Sequence, residues 1–215
     1  MSTETLRSRQ ADRIKNLILE AAIPLFARGF DAVSVKDIAA AADCKHSLVM
    51  YHFGTKDRLW EQAALHLWRR FEACSEAYRE KLPPGETDRE RMHAQLLSFI
   101  QALRDIPAYG QILLCEGSRP SARLTWLYSN FIPSAYLNLQ YDDPRLARAM
   151  RTGTLLRSAL SGAILYTVVL APQVAINAAN DGGELPDEIY PISDALALRL
   201  ADTMNAFVFS QLDQA

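Results

Sequence analysis

The chain is poor in cysteine, with three in 215 residues, Cys44, Cys74 and Cys115. They are odd in number and far apart, and no Cys-x-x-Cys or Cys/His cluster accompanies them. A disulfide framework and a structural zinc site are therefore excluded, and reduced thiols in a cytoplasmic protein are expected. Glycine and proline are sparse, nine and ten residues, which excludes collagen-like and low-complexity chains. Charge of one sign is lacking too. A formal balance of −2 excludes a protein that coats nucleic acid by bulk charge. The first twenty residues hold no apolar run, so no secretory signal is expected. The one long uncharged stretch, Ser158 to Asn180, is interrupted by Ser161, Gly162, Pro172, Gln173 and Asn177. Its apolar heart, Ala163 to Ala171, is too short to span a bilayer, so it reads as a buried helix and no membrane partner is expected.

Catalytic signatures are also missing. There is no Gly-x-Ser-x-Gly elbow, and Gly182-Gly183 sits in a polar loop that reads as a turn rather than a phosphate cradle. His66 lies on a different helical face from Glu61 and Glu72, so no metal site is expected. No cofactor is implied, and an enzyme is not expected.

What is present is helical periodicity almost throughout. Ile14, Ile18, Ala21 and Leu25, with Leu17, Ala22 and Phe26 beside them, make one stripe at three-to-four spacing. Pro24 is expected to kink that helix, and Gly29 suits its C-terminal cap. Ser34-Val-Lys-Asp37 reads as a capping box with an acid at its fourth position, opening a helix through Ala42. A second short helix ends near Phe53, and Thr55 can cap a long one from Lys56 to about Lys81. Thr87-Asp-Arg-Glu90 is a full capping box for a helix to about Ile106. Further helical runs are expected over 108–117, 121–140 and 145–171, then a loop from Asn177 to Pro191. Ser193 should cap a last helix with Leu196, Leu200, Met204, Phe207 and Leu212 on one stripe. No strand is expected.

Residues 34–53 form a unit: a short helix, a tight turn and a second short helix. That is the helix-turn-helix arrangement, whose second helix enters the major groove of DNA. Lys45, His46 and Ser47 stand at the start of the second helix, where donors reach base edges. Tyr51 and His52 end it, where a phenol and an imidazole can meet phosphate. Thr55 and Lys56 open the next helix, whose dipole favours phosphate. Val49 and Phe53 point the other way, into the scaffold. From Met1 to Trp60 there are nine Lys and Arg against seven Asp and Glu, whereas the rest of the chain is acidic.

Leu25-Phe26, Gly29-Phe30, the run from Ser34 to Ala42 and the run Tyr51-His52-Phe53-Gly54-Thr55-Lys56-Asp57-Arg58-Leu59 resemble the TetR family of one-component transcriptional regulators. The resemblance covers about Arg9 to Trp60. Asp43 replaces the usual turn glycine, Lys45 the usual capping Ser or Thr, and Met50 the usual aromatic. The resemblance implies backbone-positioning contacts from Ser34, Lys36, Tyr51, His52 and Lys56. It implies a groove-facing set of Lys45, His46, Ser47, Leu48 and Met50, with Lys45 or His46 donating to guanine and Leu48 or Met50 touching a thymine methyl.

The resemblance also implies an effector cavity between the helices of the second part. Tyr109, Trp126, Tyr128 and Phe131 are its candidate lining, with Arg157 as either an anion binder or an interface ion-pair partner. Small residues around Leu156, Leu160, Gly162 and Ile164, together with Leu198, Val208 and Phe209 off the stripe of the last helix, suggest a four-helix interface between two subunits. The expected architecture is all-α. A three-helix helix-turn-helix domain over 1–56 precedes a larger helical effector-binding and dimerisation domain over 57–215. The expected function is a ligand-responsive repressor that binds a near-palindromic double-stranded operator as a homodimer. The alternative is a helical protein that sequesters a small molecule or binds a partner and whose DNA readout has degenerated at Asp43, Lys45 and Met50.

Overall fold

The computed structural model describes residues 3–131, 141–151, 154–173 and 192–213. Among them there are ten α-helices and no strand. They are α1 (Thr3–Phe26), α2 (Val35–Ala41), α3 (His46–Phe53), α4 (Lys56–Arg79), α5 (Asp88–Asp105), α6 (Pro107–Gly117), α7 (Ala122–Asn130), α8 (Pro144–Ala149), α9 (Leu155–Val169) and α10 (Asp194–Asp213). The expected loop over 177–191, and residues 132–140 of the expected seventh helix, lie outside the described residues. None of the described helices is long and apolar enough to cross a membrane.

The caps stand where the sequence puts them. Ser34 and Asp37 form a reciprocal capping box, as do Thr87 and Glu90. The Thr55 hydroxyl accepts from the Arg58 amide at 3.1 Å, and the Ser193 hydroxyl from the Leu196 amide at 3.0 Å. Each satisfies a backbone N–H that has no partner within its own helix. Helix α1 runs through Pro24 and closes at Phe26, where the Gly29 amide donates to the Phe26 carbonyl at 2.9 Å with φ +114°. A residue with a side chain adopts that φ only under strain.

The chain divides into two compact units: residues 1–70 with 111–125, and residues 71–110 with 126–215. The first unit thus reaches past the 56/57 boundary expected from the sequence and takes in a segment from much later in the chain.

The core of the first unit combines Ile18, Ala22, Ile23 and Phe26 of α1 with Ile38 and Ala39 of α2. Val49 and Phe53 of α3 join it, with Leu59, Trp60 and Leu67 of α4. Burying each large apolar side chain contributes roughly 1.5–3 kcal/mol. Helix α1 is rotated from the expected stripe: Leu19 and Ile23 face inward, whereas Leu17 is 55% exposed.

In the second unit α5 packs along α10 and α9. Leu96, Leu97, Ile100 and Leu103 of α5 are buried. The buried stripe of α10 is Ala197, Ala201, Asn205, Val208 and Leu212, not the expected stripe through Leu196 and Phe207. Only Leu212 belongs to both. Val208 is therefore core rather than apolar surface off the stripe. At the edges, His93 Nε2 lies 2.8 Å from Asp202 Oδ1, and Arg104 pairs with Asp194. The expected single run over 145–171 is two helices, because α8 ends at Met150 and Thr154 caps α9 by accepting from the Arg157 amide at 3.3 Å. A methyl group at Gly110 would collide with Val169 Cγ2, so α6 meets α9 at that point through a bare backbone.

Candidate nucleic-acid interface

Helix α3 is anchored by one face and free on the other. Val49 and Phe53 are buried. Lys45, His46, Ser47, Met50 and Tyr51 are exposed, Tyr51 at 82%, and Leu48 is half-buried. The spacing explains most of the division: residues 47, 50 and 51 share one side of a helix at three-to-four spacing, and residues 49 and 53, four apart, share another. Asp43 in the preceding turn has φ +48°, the left-handed conformation that lets α2 stop and α3 start at an angle. Gly54, with φ +74°, makes the corresponding turn between α3 and α4. Lys45 occupies the cap position of α3 with no side-chain cap bond, so its ammonium is not tied to its own helix.

The remaining candidates differ in what they can offer. Lys36 is exposed on α2. Ser34 is exposed, but its hydroxyl donates to Asp37 Oδ2 at 2.6 Å and accepts the Asp37 amide at 3.2 Å, so it is committed to the cap. Those same bonds hold the Asp37 carboxyl below the usual carboxylate range: the Ser34 hydroxyl first, then the Ser34 amide. His52 is half-buried and lies edge-on to Tyr51 and Phe53. Its Nε2 is enclosed and has no partner among the described residues, so only its other edge can reach outward. Lys56 is half-buried at the start of α4, with its ammonium 4.0 Å from the centroid of the Phe30 ring.

Burial, and then the Asp43 carboxylate, raise the Cys44 thiol, which is the opposite of the activation a redox-sensing thiolate needs. His66 Nε2 lies 2.8 Å from Glu20 Oε1, and among the described residues no group of three His, Cys, Asp or Glu could hold a metal ion.

Residues 18–63 match the family model for bacterial regulatory proteins of the tetR family. Over those residues the chain is similar to the TetR family. A stretch of 96 residues is 29% identical to the HTH-type transcriptional repressor NicS of Pseudomonas putida, covering 44% of this chain and 43% of that protein. A stretch of 57 residues is 47% identical to the HTH-type transcriptional repressor Rv3405c of Mycobacterium tuberculosis, covering 26% of this chain and 30% of that protein. The chain matches less than half the length of these curated relatives. In fold it is similar to the crystal structure of a TetR-like transcriptional regulator from Rhodococcus sp. RHA1. That comparison has a TM-score of 0.54 at 18% identity and covers 94% of this chain and 97% of the other. It is also similar to the TetR family transcriptional regulator PfmR from Thermus thermophilus, with a TM-score of 0.50 at 19% identity, covering 89% and 96%. At these identities the likeness is one of fold.

The second unit redistributes the remaining candidates. Tyr109 is buried with its ring stacked on Phe71 at 3.7 Å, and Phe99 meets both edge-on. Trp126 is half-buried and edge-on to buried Phe131 at 5.3 Å, while Tyr128 is exposed. Arg157 is buried within its own protomer, at 6% exposure. None of these five is among the described residues that line one small cavity of this unit. That cavity is lined by Met92, Gln95, Leu96 and Phe99 of α5, by Leu160, Ser161 and Ile164 of α9, and by Tyr141 and Met150. It holds about 20 Å³, room for one water. Its lining is the inward face of α5 and α9, residue types that read in sequence as ordinary core.

The interface candidates split as well. Leu160, Ile164 and Val208 are buried within their own protomer, so they are corrected to core. Leu156 and Phe209 are half-buried, the latter beneath the Arg89 guanidinium at 4.4 Å. Gly162 and Leu198 are exposed. The outward stripe of α9 is Leu155, Ala159, Gly162 and Tyr166, one step round the helix from the stripe expected.

Proposed function

We propose that the protein is a DNA-binding transcriptional regulator, a ligand-responsive repressor that binds a near-palindromic operator as a homodimer. The observation that carries the reading is the free face of α3. Lys45, His46, Ser47, Met50 and Tyr51 are exposed above an anchor of buried Val49 and Phe53. A helix so held can enter the major groove with donors at its N-terminal end. Lys36, Tyr51 and Lys56 serve as phosphate contacts that set register. The outward stripe of α9, with Leu155 at 87% exposure, and exposed Leu198 of α10 support a two-fold interface. A dimer presents two α3 helices, so the operator repeats about one helical turn apart or more.

The ligand-responsive part rests on the cavity between α5 and α9. Among the described residues its lining carries no charged side chain, so a neutral, mainly apolar effector suits it. Met92 and Met150 are flexible enough to widen it on binding. Such an effector lowers operator affinity only by as much as it prefers the non-binding state, typically 1–3 kcal/mol of coupling.

A second reading, a sequestering protein with lost DNA readout, is favoured by one observation, the enclosed Nε2 of His52. Selection from a random duplex library at two salt concentrations separates the two. Recovery of a near-palindrome bound by a dimer supports the repressor. Weak, salt-sensitive, sequence-independent binding overturns it in favour of sequestration.

A further inference from the structure

The segment 111–125 folds with residues 1–70, although it lies far from them in sequence. Three side chains tie it to the turn between α1 and α2. The Cys115 thiol donates to the Ala27 carbonyl at 3.6 Å. Arg119 pairs with Asp31 at 3.1 Å. The Arg123 guanidinium lies 3.9 Å from the centroid of the Phe30 ring. Arg123 is itself fixed from behind, since its Nε donates to Glu116 Oε1 at 2.9 Å and Ser121 donates to the other oxygen at 3.2 Å. Glu116 is buried, so this carboxylate is a rigid mount rather than a surface partner.

Phe30 carries a second cation, because the Lys56 ammonium is 4.0 Å from the same centroid. Two positive groups around one ring repel unless one is neutralised. Glu116 neutralises Arg123, whereas Lys56 forms no salt bridge among the described residues and so carries the uncompensated charge on the ring. The Phe30 ring also stacks on Phe26 at 5.9 Å and is thereby wedged between α1 and the start of α4.

The geometry points to Arg123 as a positioning residue: mounted on Glu116, it fixes the Phe30 ring and, through that ring, the Lys56 ammonium at the start of α4. The consequence for DNA rests on the reading above that Lys56 meets a phosphate. The position of Lys56 is then set by the end of α6 and the start of α7, helices that continue beyond 111–125 into the second unit.

The test uses the full chain and two readouts. The first is the proton resonance of the Lys56 ε-methylene without DNA, which the Phe30 ring current should shift upfield. The second is the salt slope of binding to a short mixed-sequence duplex. Because Arg123→Gln alone would strand a buried carboxylate, the main variant is Glu116→Gln with Arg123→Gln. It should return the Lys56 resonance toward that of a free lysine and lower the salt slope by up to about 0.9, one phosphate contact. Arg123→Lys keeps the charge against Glu116 but lacks the planar group. It should shift both readouts in the same direction by less, and it serves if the double variant does not fold. An unmoved Lys56 resonance in a folded variant overturns the inference, as does a moved resonance with an unchanged slope when the parent protein binds the duplex. If the parent binds no duplex while the resonance moves as expected, the positioning role stands and the DNA-binding reading fails.

Discussion

The Cys44 amide donates to the Ala39 carbonyl at 2.9 Å, spanning a left-handed Asp43 whose own amide donates to Ala40 at 3.2 Å. This pair of bonds is a Schellman closure of α2, in which the left-handed position is normally glycine. Asp tolerates that conformation better than most residues, but its Cβ still carries a cost. Asp43→Gly should therefore stabilise the protein by about 0.5–1 kcal/mol, and Asp43→Ala should destabilise it. Urea unfolding midpoints at constant slope are the check. A lower midpoint for Asp43→Gly would mean that the carboxylate, not the backbone, closes the turn.

Asp37 makes the cap of α2 sensitive to acid. Its folded pKa lies below the ordinary aspartate value because the Ser34 hydroxyl and amide donate to the charged form. A depressed folded pKa adds stability that is fully present above the unfolded value, about 4, and is lost as pH falls through the lower folded value. Asp37→Asn should flatten stability in that acid window and should leave the shape of the curve near neutrality unchanged. Thermal unfolding from pH 7 down to pH 2 would test it, and identical acid profiles for the two proteins would refute the cap's role.

Local features were legible because local physics decides them. The boxes at Ser34 and Thr87, the tolerance of Asp43 for a left-handed turn and the inward side of α3 all follow from neighbours a few residues away. The phase of α10 was not legible. Leu196, Ala197, Leu198, Leu200 and Ala201 are apolar nearly all round, so periodicity alone cannot choose a face. Nor could sequence spacing bring Arg119 to Asp31 or Arg123 to Phe30, because long-range pairs leave no local trace. The exposed side of α3 was readable, whereas the enclosed Nε2 of His52 and the commitment of Ser34 to its cap depend on packing that sequence spacing does not show.

Lys45 and Lys56 should fail in different ways. Lys45 is exposed at the start of α3, and the reading that it donates to a base edge makes Lys45→Ala cost about 1–3 kcal/mol at one operator position and relax the preference there. Lys56→Ala should instead weaken binding about equally on all sequences and lower the salt slope by about one. Binding isotherms on the selected operator, its single-base variants and a scrambled duplex at several salt concentrations distinguish the two. Indistinguishable losses would show that the division into base readers and phosphate contacts is mistaken.

The proposed dimer rests on surface that one protomer leaves open. Leu155, Ala159, Gly162 and Tyr166 follow one another at four, three and four residues along the outward side of α9, so they form a continuous strip. Leu155 at 87% and Tyr166 at 47% exposure are large apolar groups in water. Gly162 between them has nothing within 4 Å of where a Cβ would sit, which leaves space for the close approach of a second helix. Leu155→Glu with Tyr166→Glu would place like charges across a two-fold axis, where each residue faces its own copy or a near neighbour. The helical content should persist, since neither side chain is buried in its own protomer. Light scattering after size exclusion should change from dimer to monomer, and operator affinity should fall because one α3 helix then acts alone. A variant that remained dimeric would put the interface on another face and would remove α9 from the proposed bundle.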